Sequence, residues 1–566
     1  MRYTFLLALL LMTACSDDAD PGATNPNNGS DTGADLPGDD ASPDAGDDTR
    51  ADARDDATPD AEPDAPEPGG LEVVTSEGVV MGQIEGDTGV RSWKGIPYAA
   101  APTGALRWRA PAAASARAEA LDASAFGPTC PQPSADEELP QDEDCLTLNI
   151  WSPSAPETPE LLPVMLWIHG GSFTGGSASL PFYDGTVLAT HDVVVVSINY
   201  RLGALGFMAH EALIDPDAQY PSTGNYGLLD QIAALQWVRA NVAAFGGDQD
   251  RITLFGESAG AISICTLMAS PLAEGLYAQA IMESGFCSSD LAYTTEARGE
   301  TAPAVEQGAR IAGRLGCADG DVAACLRAAS VDEIRTETNR PLGQAESFNP
   351  SVDGHVLTQT PGAAQRAGET HDVPLLLGAN EDEGTIFVSA TTVPTEAAYA
   401  RVVNGFFGAD VGAQVLAQYP AADYSSPYRA LADLFGDLVF VCPTRSAARH
   451  HAAAGRNTWL YHFNHELNFG AMRNIGVFHG SEIGFAFGTL GAFTLPTPDE
   501  LRLSQTMQEL WTSYAKGGPP AAEGVLWRAY VEAEDEGLEL TLEPAMTAGW
   551  HGAECDFWDG VLGARE

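Results

Sequence analysis

The sequence predicts an α/β protein, a single large domain built on a mostly parallel central sheet with helices on both faces. Three observations carry this. Nearly continuous apolar runs of strand length occur at 164–168 and 193–198. Such runs suit strands buried on both faces of a parallel sheet. Longer stretches between them place apolar residues at helical steps, and the two kinds of segment alternate.

The chain begins with Arg2, an apolar run from Phe5 to Met12, and then Thr13-Ala14-Cys15. The run is too short to span a bilayer, and its charge and small-residue ending read as an export signal. The ending resembles a bacterial lipoprotein lipobox, with Met12 where Leu is more usual. That resemblance implies cleavage before Cys15, lipid attachment to its thiol and a place on the cell envelope; the alternative is an ordinary secretory signal. Residues 16–70 follow with 17 Asp/Glu against two Arg, and Leu36 is their only large apolar side chain. Such a segment buries too little to offset its ordering entropy and reads as an acidic disordered tether.

Leu71 opens ordinary globular sequence, which runs to 566 with no second linker or internal repeat. The whole chain carries a formal charge of −51, and the part beyond the leader and tether about −37. A surface this acidic repels polyanions and argues against nucleic acid as a partner. Within the body, 164–168 and 193–198 are expected strands. Leu228, Ile232, Leu235, Trp237, Val238 and Val242 mark a packed helix. Ile252 to Phe255 reads as a strand and Ala259 to Met268 as the helix after it.

At that last junction stands Gly256-Glu257-Ser258-Ala259-Gly260, a Gly-x-Ser-x-Gly between strand and helix. The glycines suit a turn too tight for side chains, which lifts the serine hydroxyl to the sheet edge on a strained backbone. A serine hydroxyl is a weak nucleophile until a base takes its proton, and the base needs an acidic partner. In this arrangement serine, acid and histidine follow one another along the chain.

Here the chain resembles the type-B carboxylesterase or cholinesterase-like family, across nearly all of 71–566. Phe245-Gly246-Gly247-Asp248 with 252–260 is similar to that family's nucleophile signature. Glu143 to Ile150 is similar to a second signature, and Gly95-Ile96-Pro97-Tyr98-Ala99 to its N-terminal stretch. The resemblance implies an α/β-hydrolase fold and hydrolysis of carboxylic esters through an acyl-enzyme on Ser258, with no metal or organic cofactor. By the same resemblance, Gly378 to Gly384 is the acid loop and places the carboxylate on Glu383. The residues themselves leave Asp382 and Glu381 open as alternatives. Gly476 to Glu482 resembles the histidine loop and singles out His479 among eleven histidines. His169-Gly170-Gly171-Ser172-Phe173 resembles the oxyanion loop, which implies that the backbone N–H groups of Gly171, Ser172 and Ala259 receive the developing negative charge. The family usually has glycine where this chain has Ser172, and the added side chain narrows the expected acyl pocket.

Apart from Cys15, eight cysteines remain, an even number that fits an oxidising compartment. The resemblance implies the pairs Cys130–Cys145, Cys317–Cys325 and Cys442–Cys555; Cys265 with Cys287 follows only by elimination. His462 and His465 invite a metal reading, but three-residue spacing in a strand turns them to opposite faces. Residues 131–144 hold no aromatic side chain, which argues against a specialist for choline esters, whose relatives hold the ammonium group on a tryptophan in this loop. The small-molecule ester is thus the expected partner, and membrane contact runs only through a lipid on Cys15. Two other readings remain: a catalytically silent adhesion or binding protein of the same family, and a hydrolase of amides, carbamates or lactones.

Overall fold

A computed structural model describes residues 70–563, apart from 134–139, 155–159, 288–289, 300, 340–345, 468–474 and 493. The leader, and the tether up to residue 69, lie outside the described residues.

Alternation along each strand decides where the two faces of the sheet go. Strands form at Glu72–Thr75 (β1), Gly78–Met81 (β2), Gln83–Ile84 (β3), Arg91–Pro97 (β4), Leu121–Asp122 (β5), Thr147–Ser152 (β6) and Leu162–Ile168 (β7). They continue at Val194–Ile198 (β8), Gly247–Glu257 (β9), Gln279–Glu283 (β10), Leu375–Asn380 (β11), Thr458–Phe463 (β12), Glu536–Leu540 (β13) and Ala545–Ala548 (β14). Strands β1, β2 and β5 make a small separate sheet, and the other eleven run in the order β14-β13-β12-β11-β10-β9-β7-β8-β6-β4-β3. From β8 to β13 every neighbouring pair is parallel, and antiparallel strands close both edges. On β7, Val164, Leu166 and Ile168 join one hydrophobic cluster while Met165 and Trp167 join another on the opposite face. Both faces are therefore dry, and the expected runs at 164–168 and 193–198 are strands for that reason.

Helices at Tyr226–Asn241 (α1) and Ala259–Met268 (α2) pack in the first cluster. The first is buried nearly all round, polar side chains included. Asp230 on it takes a bidentate pair from buried Arg201, each contact 2.7 Å, and Gln231 donates to Ser263 on α2 at 3.0 Å. Buried charges persist only when paired in this way. Further along come Pro427–Gly436 (α3), a π-turn at Asp437–Val441, Cys442–Ala453 (α4), Pro498–Ala515 (α5) and Gly552–Gly563 (α6). Of these, α3, the π-turn and α6 bring Phe435, Phe440 and Trp558 to Tyr419 in a third cluster beyond the carboxyl end of β11, while α5 packs in the second. Four disulfides join Cys130–Cys145, Cys265–Cys287, Cys317–Cys325 and Cys442–Cys555, with Cα atoms 5.0–5.5 Å apart. The pair at 265 and 287 ties α2 to the segment after β10.

Candidate active site

The parallel strands deliver the candidate residues to one edge of the sheet. Ser258 sits between β9 and α2 with φ 54° and ψ −121°. A serine held in left-handed backbone carries strain of roughly 1–3 kcal/mol. The neighbours hold it there, since its N–H donates to Glu283 O at 3.0 Å and its carbonyl accepts from Ile262 N at 2.9 Å. The flanking glycines answer to a single atom. A Cβ on Gly260 would stand 1.9 Å from the carbonyl oxygen of Ile168, and one on Gly256 2.6 Å from it. The elbow thus presses against the end of β7, where the next loop begins.

That loop, 169–176, turns through left-handed Ser172 and Phe173, with φ 55° and 59°. It is braced from outside, because Gln132, beside the first disulfide, accepts from Gly176 N and donates to Gly176 O. The backbone N–H groups of Gly171, Ser172 and Ala259 donate to no group among the described residues. A Cβ on Gly170 would come within 3.0 Å of Ser258 Cβ, so the loop and the nucleophile lie side by side.

His479 and Glu383 meet as the sequence expectation requires: Nδ1 and Oε2 are 2.5 Å apart, with Glu383 fully buried. The three candidate carboxylates separate cleanly. Asp382 turns to Arg429 at 3.0 Å and accepts from Val477 N at 2.8 Å. Glu381 turns to His462 and His551. The other Glu383 oxygen accepts from Asn380 N at 2.8 Å, which fixes the carboxylate at the end of β11.

The other ring nitrogen of His479 faces Glu257 Oε1 at 3.0 Å, and the Ser258 hydroxyl has no hydrogen-bond partner among the described residues. Burial opposes charge on this imidazole, but the carboxylates of Glu257 and Glu383 outweigh it and hold its pKa well above the ordinary histidine value. Phe440 and Phe387 cover the ring, with centroids 4.4 and 5.0 Å away.

Three buried glutamates had no expected role. Glu257 stands inside the nucleophile motif, Glu283 ends β10 and Glu482 ends the histidine loop, all 5% exposed or less. Burial, with Glu257 nearby, pushes the Glu283 carboxyl up to about 8, although Trp511 Nε1 donates to it at 2.9 Å. Glu482 is raised well above the usual range by burial and by Glu257, Glu283 and Glu383. Burial thus favours the neutral carboxyl at both positions. The sequence scatters Glu257, Glu283, Glu383 and Glu482 along the chain; only the fold buries them within reach of one another's charge.

His462 lies on β12, and His465 falls beyond the end of that strand, so strand alternation does not govern the pair. The first lies 2.6 Å from Glu381 and the second 3.4 Å from Glu500. Among the described residues no group of three or more His, Cys, Asp or Glu is placed to hold a metal ion.

Residues 70–558 match the model of the family described as "Carboxylesterase family". The chain is 36% identical to the para-nitrobenzyl esterase of Bacillus subtilis (strain 168), over 83% of this chain and 96% of that one. It is 36% identical to the fumonisin B1 esterase of Sphingopyxis macrogoltabida, covering 79% and 82%. Against the cholinesterase of Mus musculus the identity is 33%, with 86% of each chain covered. A solved structure of a PNB esterase superposes with a TM-score of 0.74 at 34% identity, over 86% of this chain and 99% of that one.

Proposed function

The chain belongs to the carboxylesterase family and is a serine carboxylic-ester hydrolase of α/β-hydrolase fold, and we propose that Ser258, Glu383 and His479 carry its reaction. The observation that supports this most is the Glu383–His479 contact, with the far side of the imidazole against Glu257, the residue before a strained serine. Ser258 Oγ attacks the ester carbonyl carbon while His479 Nε2, released from Glu257, accepts the hydroxyl proton. Glu383 orients the ring and stabilises its charge. The N–H groups of Gly171, Ser172 and Ala259 receive the tetrahedral oxyanion, one such donor being worth ~3 kcal/mol. The intermediate collapses as His479 protonates the leaving alcohol. Water then attacks the acyl carbon as His479 takes its proton, and the acid leaves when the bond to Ser258 Oγ breaks and His479 returns that proton to the serine oxygen.

The half-buried rings of Phe286 and Phe387, with Phe440 behind them, offer an apolar wall to the ester. The body's charge near −37 favours neutral or cationic esters over anionic ones by long-range steering. The absence of an aromatic in 131–144 argues against choline esters as preferred substrates. We also propose export and lipid anchoring on Cys15, with 16–70 as tether. The leader's composition supports it, and so do four disulfides, which persist in oxidising compartments.

A chromogenic ester series from acetyl to dodecanoyl, given to the full chain and to Ser258→Ala, tests the assignment. Turnover that falls on the order of 10⁶-fold in kcat in the variant supports Ser258 as nucleophile. Equal turnover in both would remove it, and turnover of amides or lactones in preference to every ester would move the substrate class.

A further inference from the structure

A second polar chain runs behind the catalytic pair and joins the two elements that hold it. Glu381 lies two residues before Glu383 on the acid loop. Its Oε2 receives Trp550 Nε1 at 3.2 Å and His551 Nε2 at 3.4 Å, and lies 2.6 Å from His462 Nε2. The opposite ring nitrogen of His551 lies 2.6 Å from Asp437 Oδ1. Asp437 opens the π-turn whose Phe440 rests on the His479 ring. Its second oxygen accepts from Tyr419 OH at 2.9 Å, and that hydroxyl accepts from Trp558 Nε1 at 2.8 Å.

His551 therefore stands between two carboxylates, one on each element flanking His479. One ring nitrogen hydrogen-bonds Glu381 and the other stands in ion-pair range of Asp437, so the imidazole answers both carboxylates as the cation. Burial opposes that charge, yet Asp437 and Glu381 push its pKa up to about 11. Glu381 is correspondingly held far below the carboxylate range, burial notwithstanding, by His462 and His551. Asp433, one turn earlier on α3, is pushed up to about 7 by burial and by Asp437 and Asp382, and Glu554 on α6 adds negative charge near Asp437. The region is thus rich in carboxylates, of which Asp382 is held by Arg429 while Glu381 and Asp437 face His551. His551 itself holds a left-handed φ of 48°, uncommon outside glycine although histidine tolerates it better than most residues. Its carbonyl accepts from Cys555 N at 2.9 Å, and Cys555 is bonded to Cys442, the residue after the π-turn.

We propose that His551 is a positioning residue for the Glu383–His479 pair, tying the acid loop through Glu381 to the π-turn through Asp437. The proposal rests on the assignment of that pair made above. Without the cation two carboxylates confront each other, the loop and the turn part, and Glu383 and Phe440 lose their fixed places against the imidazole.

The test compares the full chain with His551→Gln, His551→Arg, Glu381→Gln and the His551→Gln/Glu381→Gln double variant, and with Ser258→Ala as reference. It reads kcat, KM and the pH profile of kcat/KM on p-nitrophenyl butyrate, beside a thermal melt. His551→Gln is expected to lower kcat about 10- to 100-fold with KM nearly unchanged, as small misplacements of catalytic groups do. The acidic limb moves to lower pH, because a receding Glu383 no longer raises the His479 pKa. His551→Arg, which keeps a cation, restores most of kcat. Glu381→Gln, at a more exposed site that keeps the variant foldable, reproduces the loss in part. The effect of His551→Gln shrinks in its presence, as for coupled residues. If His551→Gln and Glu381→Gln keep the wild-type kcat and acidic limb, or lose activity only in step with the folded fraction, the proposal is overturned. Undiminished turnover by Ser258→Ala would instead overturn the nucleophile assignment.

Discussion

Replacing Gly260 by alanine tests the elbow at its tightest point. The new Cβ would stand 1.9 Å from Ile168 O and 2.8 Å from Ile168 C, where ordinary contact begins at 3.4 Å. Relief requires α2 and the end of β7 to separate by about 1.5 Å. Neither partner is a flexible side-chain tip. Ile168 is in the sheet centre, paired to β8 and β9, so α2 must move, and Ala259 N–H moves with it away from Gly171 and Ser172. Overpacking of this kind costs about 1–3 kcal/mol of stability. A lost oxyanion donor removes about 10²- to 10³-fold in kcat. The assay is kcat and KM for p-nitrophenyl acetate, corrected to the folded fraction from a denaturant midpoint. Gly313→Ala serves as control, because its Cβ meets nothing within 4 Å and the change should be neutral or slightly stabilising. A Gly260→Ala enzyme within about threefold of the wild-type kcat would refute the reasoning, since an oxyanion hole built on Ala259 cannot tolerate that shift.

Two further outcomes follow from the buried glutamates. His479 titrates above the ordinary histidine value because Glu257 and Glu383 favour its charged form. The base must be neutral to act, so kcat/KM falls as pH drops through that raised pKa. Glu257→Gln removes one of the two carboxylates and should shift the acidic limb of the profile to lower pH; an unmoved limb would show that Glu257 does not face the working imidazole. Trp511→Phe leaves fully buried Glu283 without its indole donor. A loss of about 1–3 kcal/mol in stability is expected from the unpaired group, read as a lower denaturant midpoint with the elbow serine still reactive. No change in midpoint would mean that Glu283 finds another partner at no cost.

The central sheet was legible because its strands announce themselves. A run such as Val193 to Ile198 has no polar side that could face water, and it forms β8 as expected. The short strands β3, β5 and β14 were not legible, because two to four half-exposed residues carry no period. Ser258 and His479 could be read from short motifs set in the right order, but the acid could not be chosen by the residues alone. Three carboxylates stand in succession at 381–383, and only the path of the chain after β11 turns Glu383 inward, Asp382 toward Arg429 and Glu381 toward His551. The formal count of −51 also misleads locally, since burial pushes the pKa of Glu283 and of Glu482 up. The π-turn at Asp437–Val441 and the clamp behind it were invisible for a related reason. They join residues up to 170 positions apart, and nothing in the letters around Asp437 marks a helix widened by one residue.

The most direct test of the account is covalent labelling of the full chain with a fluorophosphonate, followed by peptide mapping by mass spectrometry. One adduct per chain is expected, on Ser258, abolished in Ser258→Ala and slowed in His479→Ala, with ester turnover lost in step with labelling. An adduct on another serine, or ester turnover that persists after Ser258 is fully modified, would contradict it.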